Sequence, residues 1–495
     1  MTGTARVRCA FPLSLFAGML AACGGPQAPI VAPGAMAQSH TAATPAKRHG
    51  SGSTPIQHIV VMIQENRTFN DLFAGFPGAT SSKTGLELVP NTSGTGYVQK
   101  TIELTKEPLT TRRNPAHVYN AFLTGWDNGA MDGFNLIKSK NGLPERKMPY
   151  QYVDPTTIAP YWTIADQWGL ADEMFQTQGS DSFAAHQDLI RGGSCISTIY
   201  TCENPSVYTI SLIDSPTGKP WGCDAPAGTK TTIINGDLQL MNGKGPAPCS
   251  KDFADYGSGG YATLRDLLDA KSTSWKYYTP KLKHGGPGSP LWNAFDVIAP
   301  VRYGPEWTDG HISSPETNIF TDIQNGTLPA MSWVIPKGSN SDHPGYPTKD
   351  TGPSWIASVV NAVGNSQYWD STAVIVVWDD WGGFYDPVAP PTPRDDEGGP
   401  GFRVAMLVVS PYVKIGSGSQ GGYVSHTVYE FGSILRFIED TFDLGRLGTT
   451  DGTSTSMGDM FDYKQSPRRF VTIPSLYKKA YFVREKASDL PLDSD

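Results

Sequence analysis

Four short runs of apolar residues, many of them β-branched, constrain the fold of this chain more than any other feature of its sequence. A strand without alternating polar and apolar residues is typical of a sheet whose two faces are both covered. We therefore expect four buried central strands, at residues 59–63, 331–335, 373–378 and 404–409.

Helical periodicity lies between and after these predicted strands. The apolar positions of residues 355–363 fit a helix packed on a sheet. Over residues 426–442 the apolar side chains are spaced by three and four positions, which predicts an amphipathic helix. We expect it to start near His426, with Ser425 or Thr427 as its cap. Strands that alternate with helices predict an α/β protein with a mainly parallel central sheet between two helical layers.

The composition indicates a soluble globular protein that does not bind nucleic acid. The 495 residues include 47 acidic and 39 basic side chains, so the formal net charge is −8. No run of like charges stands out, whereas a nucleic-acid-binding protein usually carries a basic stripe. The 53 glycines and 40 prolines predict long, turn-rich connections between the helices and strands.

The first residues predict export and attachment to a membrane. Arg6 and Arg8 precede an apolar stretch at residues 10–22 that is too short to span a bilayer, as in a secretory signal peptide. The stretch ends in the sequence LAACG at residues 20–24, which resembles a bacterial lipoprotein signal. That resemblance implies cleavage before Cys23 and a lipid on its new amino terminus. An ordinary signal peptide, cut near residue 37, is the alternative.

Residues 1–22 are thus interpreted as a lipoprotein-type signal peptide. Residues 23–54, rich in Pro, Ala, Ser, Thr and Gly, are interpreted as a flexible tether, and residues 55–495 as a single domain. The protein is then exported to the cell envelope (periplasm or outer membrane) or secreted. A lipid on Cys23 makes the membrane one of its partners.

Four cysteines remain once the signal peptide and its lipid site are set aside: Cys195, Cys202, Cys223 and Cys249. Four thiols in an exported protein indicate two disulfides, for which three pairings are possible. We favour the pairing of neighbours, 195 with 202 and 223 with 249. Their spacing is not that of a zinc site. These cysteines lie in residues 192–262, which lack strong periodicity and are interpreted as a loop-rich insertion over the sheet.

Acidic and amide side chains follow two of the predicted strands directly. Glu65 and Asn66 follow the first strand, and Asp379 and Asp380 follow the third. In α/β proteins ligands bind at the carboxyl ends of strands, where buried neighbouring carboxylates repel each other unless a cation or a proton intervenes. Oxygen ligands of this kind suit a divalent metal ion. The alternative is structural, with aspartates that cap the following loop and a glutamate that pairs with an arginine.

Histidines and serines supply the remaining candidate chemistry. The histidines that could complete the site are His117, His186, His343 and His426. Ser180 and Ser182 lie at a predicted helix start, where the helix dipole and a neighbouring metal would activate a hydroxyl group. On spacing alone, Ser180 or Asp181 could equally cap a helix that runs to Arg191. The absence of a G-x-S-x-G motif argues against a lipase-type hydrolase.

These segments occur in an order that resembles one bacterial family. The resemblance opens with ENRTF at residues 65–69 and continues through His117, residues 131–134, 182–187, 328–333 and 342–344, DDWGG at residues 379–383, and residues 433–439. Over about residues 56–445 the chain resembles the phosphoesterase family that contains non-haemolytic-type phospholipases C and a secreted acid phosphatase. That family belongs to the alkaline-phosphatase-like superfamily, so the resemblance implies one three-layer α/β/α domain.

The resemblance also implies roles for the matching residues. Glu65, Asn66, Asp379 and Asp380 would hold one divalent metal ion. A serine hydroxyl would attack phosphorus, giving a phospho-enzyme that water then hydrolyses. His117 and His343 would bind phosphate oxygens or protonate the leaving group. The substrate would be a phosphate monoester or diester, phospholipids included, as for an acid phosphatase or a phospholipase C.

Three departures from the family pattern bear on this expectation. Ser180-Asp181 replaces the usual Gly-Pro, and we favour Ser182 over Ser180 as nucleophile because the following residues 183–187 match the family only in that alignment. Asp386-Pro387-Val388 lacks a histidine that the family often has, and Asn70 stands where an aspartate is common. A catalytically inactive envelope protein that binds a ligand with the same fold is the alternative.

Overall fold

The computed structural model describes residues 54–110, 114–139, 142–196, 212–235, 238–253, 261–283, 292–345, 351–391 and 399–488. All of them lie in one compact unit, Thr54–Asp495. The predicted signal peptide, the lipid site at Cys23 and nearly all of the predicted tether fall on residues 1–53, outside the described residues. None of the described helices has the length and the apolar composition that a bilayer crossing requires.

Eight strands form the central sheet, in the order β11-β10-β12-β1-β13-β14-β6-β15. The fifteen strands of the described residues are β1 (His58–Gln64), β2 (Thr84–Pro90), β3 (Tyr97–Glu103), β4 (Thr105–Glu107), β5 (Gln151–Val153), β6 (Gly169–Ala171), β7 (Leu212–Pro216), β8 (Thr231–Ile234), β9 (Leu240–Met241), β10 (Trp275–Tyr278), β11 (Ile312–Ser313), β12 (Met331–Val334), β13 (Thr372–Trp378), β14 (Met406–Val409) and β15 (Tyr423–Ser425). Within the sheet only β14 is antiparallel to its neighbours. The four apolar runs are β1, β12, β13 and β14, which confirms the predicted mainly parallel sheet.

Helices form the outer layers. The α-helices of the described residues are α1 (Phe69–Phe73), α2 (Tyr119–Trp126), α3 (Ala159–Gln167), α4 (Ser182–Arg191), α5 (Leu264–Ala270), α6 (Ala299–Arg302), α7 (Asn318–Asn325), α8 (Gly352–Gly364), α9 (Phe431–Phe442) and α10 (Lys479–Val483). One group is centred on α8, which contacts α3, α7 and α10, and another on α4, which contacts α5 and α9. The predicted three-layer α/β/α class is therefore confirmed.

The amphipathic helix after the sheet starts later than expected. Residues 423–425 form the edge strand β15, and α9 begins only at Phe431, where Glu430 and Ser433 make a capping box. Val428 continues the apolar spacing but is 46% exposed. The prediction that His426 lies at a helix start is thus wrong, because Tyr429 is held by a β-bridge to Met174 before the helix begins.

The predicted insertion contains a small sheet of its own. Strands β7, β8 and β9 form an antiparallel sheet, separate from the central one. A disulfide joins Cys223 to Cys249 nearby, which confirms one of the two predicted pairings. The other pairing involves Cys202, which lies outside the described residues, so it remains a prediction.

Candidate active site

Strand register brings the two acidic segments together. In the pairing of β1 with β13, Gln64 lies opposite Trp378, and the amide of Asp379 donates to the carbonyl of Gln64 at 2.9 Å. Glu65 and Asp379 therefore leave adjacent parallel strands at the same edge of the sheet. Both side chains are fully buried.

Asn66 connects the two segments. Its backbone has a positive φ of 53°, a conformation that asparagine tolerates better than most residues. Its backbone amide donates to Asp379 Oδ1 at 2.9 Å. Its side-chain Nδ2 lies 3.0 Å from Asp380 Oδ2, 3.1 Å from Ser182 Oγ and 3.1 Å from His117 Nε2. One side chain thus contacts a carboxylate, a hydroxyl and an imidazole of the predicted site.

The turn after β13 fixes the orientation of Asp380. The backbone amide of Gly382 donates to Asp380 Oδ1 at 2.7 Å, which leaves Oδ2 directed at Asn66 and Ser182. Gly382 has φ 61°, and a Cβ atom there would lie 2.0 Å from the carbonyl oxygen of Asn66. Only glycine fits this close approach without a shift of the backbone.

The two candidate serines have different partners. Ser182 is the first residue of α4, and its hydroxyl donates to Asp380 Oδ2 at 2.9 Å and lies 3.4 Å from Glu65 Oε2. Ser180 instead donates to Asp214 Oδ1 at 2.5 Å, on strand β7 of the insertion. Asp181 occupies the N-cap position of α4, but its side chain makes no capping hydrogen bond. Ser182 is therefore the serine beside the buried carboxylates.

His186 belongs to the same cluster, although the sequence singled it out only as one of four possible histidines. Its Nε2 lies 2.8 Å from Glu65 Oε1 and 3.7 Å from Asp379 Oδ2. The signal that could have assigned it is its spacing from Ser182, because residues four apart share one face of a helix. Both side chains of α4 consequently face the acidic strand ends.

The donor set of this cluster fits a divalent metal ion. One ligand atom each of Glu65, His186 and Asp379 lie within 4.8 Å of one another, and all three residues are buried. Carboxylates withdrawn from water at this spacing repel each other, and a cation held among them removes that repulsion. Carboxylate oxygen and imidazole nitrogen are ligands of divalent transition metals. The structural alternative had Glu65 paired with an arginine. In the structure Glu65 pairs with His186, and the nearby Arg67 pairs with Asp71 at 3.0 Å.

His117 and His343 are both held through Nδ1. The Nδ1 atom of His117 lies 2.8 Å from the carbonyl oxygen of Pro115, and that of His343 lies 2.5 Å from the carbonyl oxygen of Pro344. Because a carbonyl only accepts, each Nδ1 carries a proton, and Nε2 is the nitrogen left for chemistry. His117 Nε2 faces Asn66, whereas the ring of His343 lies nearly parallel to Trp292.

Trp292 connects His343 to the cluster. Its indole ring is nearly parallel to the imidazole of His186 as well, with centroids 6.5 Å apart, against 5.7 Å for His343. The fourth histidine, His426, is 60% exposed and pairs with Asp172 at 2.9 Å at the far edge of the sheet. The structure thus brings Glu65, Asn66, Asp379, Asp380, Ser182 and His117 into contact. It connects His343 to this cluster through Trp292 and places His426 apart.

The departures from the family pattern also have a structural setting. Asp386 is fully buried and accepts from Arg403 Nε at 2.9 Å and from the backbone amide of Asn70 at 3.1 Å. Asp386 is therefore held in a buried ion pair, whereas the side chain of Asn70 bonds to the backbone of Ser82 at 2.9 Å and 2.7 Å. Burial raises the pKa of Asp214, the partner of Ser180, to about 6. Hydrogen bonds from Ser180 and from the backbone amide of Tyr119 oppose that rise.

The sequence of this chain is similar to those of known proteins. The model of the phosphoesterase family matches residues 56–445. Phospholipase C B of Mycobacterium tuberculosis is 24% identical over 475 residues, which cover 84% of this chain and 79% of that protein. Non-hemolytic phospholipase C of Burkholderia pseudomallei is 23% identical over 452 residues, covering 81% of this chain and 57% of that protein.

Among solved structures, this chain is similar to a protein in the alkaline phosphatase superfamily from Vibrio parahaemolyticus. The match covers 83% of this chain and 72% of the Vibrio chain. The sequence identity is 10% and the TM-score 0.33. The family match covers the central strands, the acidic strand ends, the serine segment and the closing helix. The chain belongs to the phosphoesterase family.

Proposed function

We propose that this protein is an exported, metal-dependent phosphoesterase that hydrolyses phosphate esters through Ser182. Its membership of the phosphoesterase family makes it a phosphoric ester hydrolase. The proposal of a serine nucleophile beside a metal ion rests on one contact. Ser182 Oγ lies 2.9 Å from Asp380, beside the buried group of Glu65, His186 and Asp379. A hydroxyl so surrounded is a nucleophile next to a metal site.

In the first step Ser182 Oγ attacks the phosphorus atom of the ester. The O–H bond breaks as the new O–P bond forms, and the proton passes to Asp380 Oδ2, which already accepts the hydrogen bond of Ser182. The bond from phosphorus to the leaving oxygen breaks with its electron pair. His117 or His343, protonated on both ring nitrogens with Nδ1 bonded to a carbonyl, gives its Nε2 proton to that oxygen and is left neutral.

In the second step water hydrolyses the phosphoserine. The histidine that the first step left neutral accepts the proton of the attacking water, and Asp380 returns its proton to Ser182 Oγ as the O–P bond of the phosphoserine breaks, so the protein is restored. Asn66 Nδ2, which lies between Asp380, Ser182 and His117, orients all three groups. The burial of these side chains excludes bulk water from the reacting oxygen.

Glu65, Asp379 and His186 are the residues that would hold the metal ion, with Asp380 and Asn66 next to them. When bound, a divalent ion supplies positive charge against the charge that develops on the phosphoryl oxygens. Without it, the buried carboxylates would repel a phosphate group.

The substrate class follows from the relatives. Those reported above carry the name phospholipase C, which favours a phosphodiester with a lipid leaving group. Export, with a lipid on Cys23, would put the protein in the same envelope as such lipids. The acid phosphatase activity of the family, on monoesters, is the other reaction that the same residues could perform.

Hydrolysis of p-nitrophenyl phosphate and of p-nitrophenylphosphorylcholine tests the proposal, with release of diacylglycerol from phosphatidylcholine as a third assay. The wild-type chain and Ser182→Ala are compared, each with and without a chelator. We expect turnover that both the substitution and the chelator abolish, and the preferred ester separates phosphatase from phospholipase C. A folded, metal-loaded wild type that hydrolyses none of the three would overturn the proposal and favour an inactive binding protein.

A further inference from the structure

The segment at residues 463–486, here called the basic strap, follows the part of the chain that matches the family. It contains one acidic residue, Glu485, and seven basic ones: Lys464, Arg468, Arg469, Lys478, Lys479, Arg484 and Lys486. The chain as a whole carries a net charge of −8, so this concentration of positive charge runs against its composition. The three aspartates that follow, within residues 489–495, are fewer than these cations and lie outside the described residues.

Buried contacts hold the strap along α8. The backbone amide of Ile473 donates to Asn361 Oδ1 at 2.7 Å, and Asn361 Nδ2 donates to the carbonyl of Ile473 at 2.9 Å. Further along, the buried ring of Phe482 packs edge-on against Trp355, with centroids 5.4 Å apart. Asn361 and Trp355 lie six residues apart on α8, so these two anchors hold the strap over about 9 Å of that helix.

The strap exposes both positive charges and apolar side chains. All of its basic residues except Arg468 are exposed, and none of these six is in an ion pair with a carboxylate of the described residues. Between them lie Val471, Leu476 and Val483, which are 55%, 80% and 52% exposed. The cations are spread along the sequence, which is why no charge run stands out there.

One end of the strap contacts the loop that leads to His343. Asn340 Nδ2 donates to Glu485 Oε2 at 2.7 Å, and Lys337 Nζ donates to the carbonyl of Lys486. His343 follows three residues after Asn340. One end of a surface bound along the strap would therefore lie near this loop.

We propose that the basic strap is a docking surface for an anionic phospholipid bilayer. Lysine and arginine near an anionic membrane each contribute about 1 kcal/mol of binding. Exposed aliphatic side chains add to binding by entering the boundary between headgroups and acyl chains. Nucleic acids and acidic polysaccharides would engage the cations but leave Val471, Leu476 and Val483 in water, so the lipid surface accounts for both features. This inference does not depend on the proposed catalytic residues.

Vesicle flotation tests the docking surface. The full chain carries Cys23→Ser, so that an attached lipid cannot contribute, and is mixed with phosphatidylcholine vesicles with and without phosphatidylglycerol. One variant combines Lys478→Gln, Lys479→Gln, Arg484→Gln and Lys486→Gln, and another combines Leu476→Ser with Val483→Ser. The matched control removes four exposed lysines elsewhere, with Lys100→Gln, Lys138→Gln, Lys147→Gln and Lys244→Gln.

We expect the parent chain and the matched control to bind phosphatidylglycerol vesicles, and high salt to weaken that binding. The four-cation variant should bind at least about tenfold more weakly, and the Leu476/Val483 variant should also lose affinity. Equal binding by the four-cation variant and the matched control would overturn the proposal. So would binding to heparin or DNA without binding to vesicles. Hydrolysis of the soluble ester p-nitrophenyl phosphate should be unchanged in both strap variants, so failure of docking is distinct from failure of catalysis.

Discussion

The hydroxyl of Ser180 donates a hydrogen bond to the carboxylate of Asp214, 2.5 Å away on a strand of the insertion. This contact ties the loop before α4 to the small antiparallel sheet. It also leaves Ser182, two residues further on, as the serine in contact with Asp380 and Glu65. Two serines that are almost equivalent in sequence therefore have different partners in the structure, one on the insertion and one in the buried acidic cluster.

The first prediction separates these two serines. Ser182→Ala should lower kcat for p-nitrophenyl ester hydrolysis at least about 10³-fold, because it removes the attacking oxygen. Ser180→Ala loses only the hydrogen bond to Asp214 and should keep activity within about tenfold of wild type. Steady-state kinetics on both variants, with circular dichroism to show that each is folded, checks this. A loss in Ser180→Ala as large as that in Ser182→Ala would contradict the assignment.

Sequence patterns predicted the sheet well because burial on both faces leaves a strong local signal. The apolar residues of β1 and β13 indicated central strands, and the residues directly after them, Glu65 and Asp379, then had to meet at one edge. The start of α9 was less predictable. Val428 fits the helical spacing, but the β-bridge that holds Tyr429 is a tertiary contact with no local signal.

Contacts across long sequence distances account for what the sequence did not reveal. Asp214 reaches Ser180 from a strand in the insertion, 34 residues away, and nothing in its own neighbourhood indicates that partner. His186 joins the acidic cluster because α4 lies against the strand ends, and its contact with Glu65 spans 121 residues. The helical spacing of Ser182 and His186 was visible in the sequence, but the face of α4 that meets the sheet was not.

The second prediction concerns metal binding. Asp379→Asn removes one negative charge but keeps an Oδ1 acceptor for the backbone amide of Asn66. Without metal, the variant should be as stable as wild type or more stable, because repulsion with Glu65 is relieved. Added divalent metal should stabilise wild type by about 2.7 kcal/mol at a hundredfold excess over Kd, and the variant by far less.

Thermal unfolding with increasing Mn²⁺, Zn²⁺, Ca²⁺ or Mg²⁺ measures this effect. Asp154→Asn, which alters a half-buried carboxylate paired with Lys106 away from the cluster, is the control and should respond like wild type. An equal rise of Tm in Asp379→Asn and wild type would refute the placement of the metal at this cluster.

The third prediction concerns the turn after β13. Gly382→Ala places a Cβ atom 2.0 Å from the carbonyl oxygen of Asn66 at a residue with φ 61°, so the backbone must move. Since Gly382 also orients Asp380, kcat should fall at least about tenfold, with a loss of stability of about 1–2 kcal/mol. Gly452→Ala, where nothing lies within 4 Å of the added atom, is the matched control. Full activity in Gly382→Ala would show that Asp380 does not need this orientation.

The fourth prediction is a pH dependence of stability that arises at Glu316. Burial raises the pKa of this carboxyl from 4.5 to about 7, with repulsion from Glu485 adding to the rise and attraction to Lys337 opposing it. Between about pH 5 and pH 7 the folded protein keeps a proton that the unfolded chain has lost. The free energy of unfolding therefore falls as the pH rises through this window and levels off above it.

Glu316→Gln removes this contribution, because glutamine stays neutral at every pH. From pH 5 to pH 8.5 wild type should lose about 1–3 kcal/mol more stability than the variant. Burial also raises the pKa of Asp296 to about 7 and that of Glu439 to about 8, so some decline persists in both proteins. Urea unfolding at the two pH values isolates the difference, with Glu103→Gln, at an exposed position, expected to follow wild type. Parallel losses in wild type and Glu316→Gln would mean that Glu316 is ionised in the folded protein throughout this range.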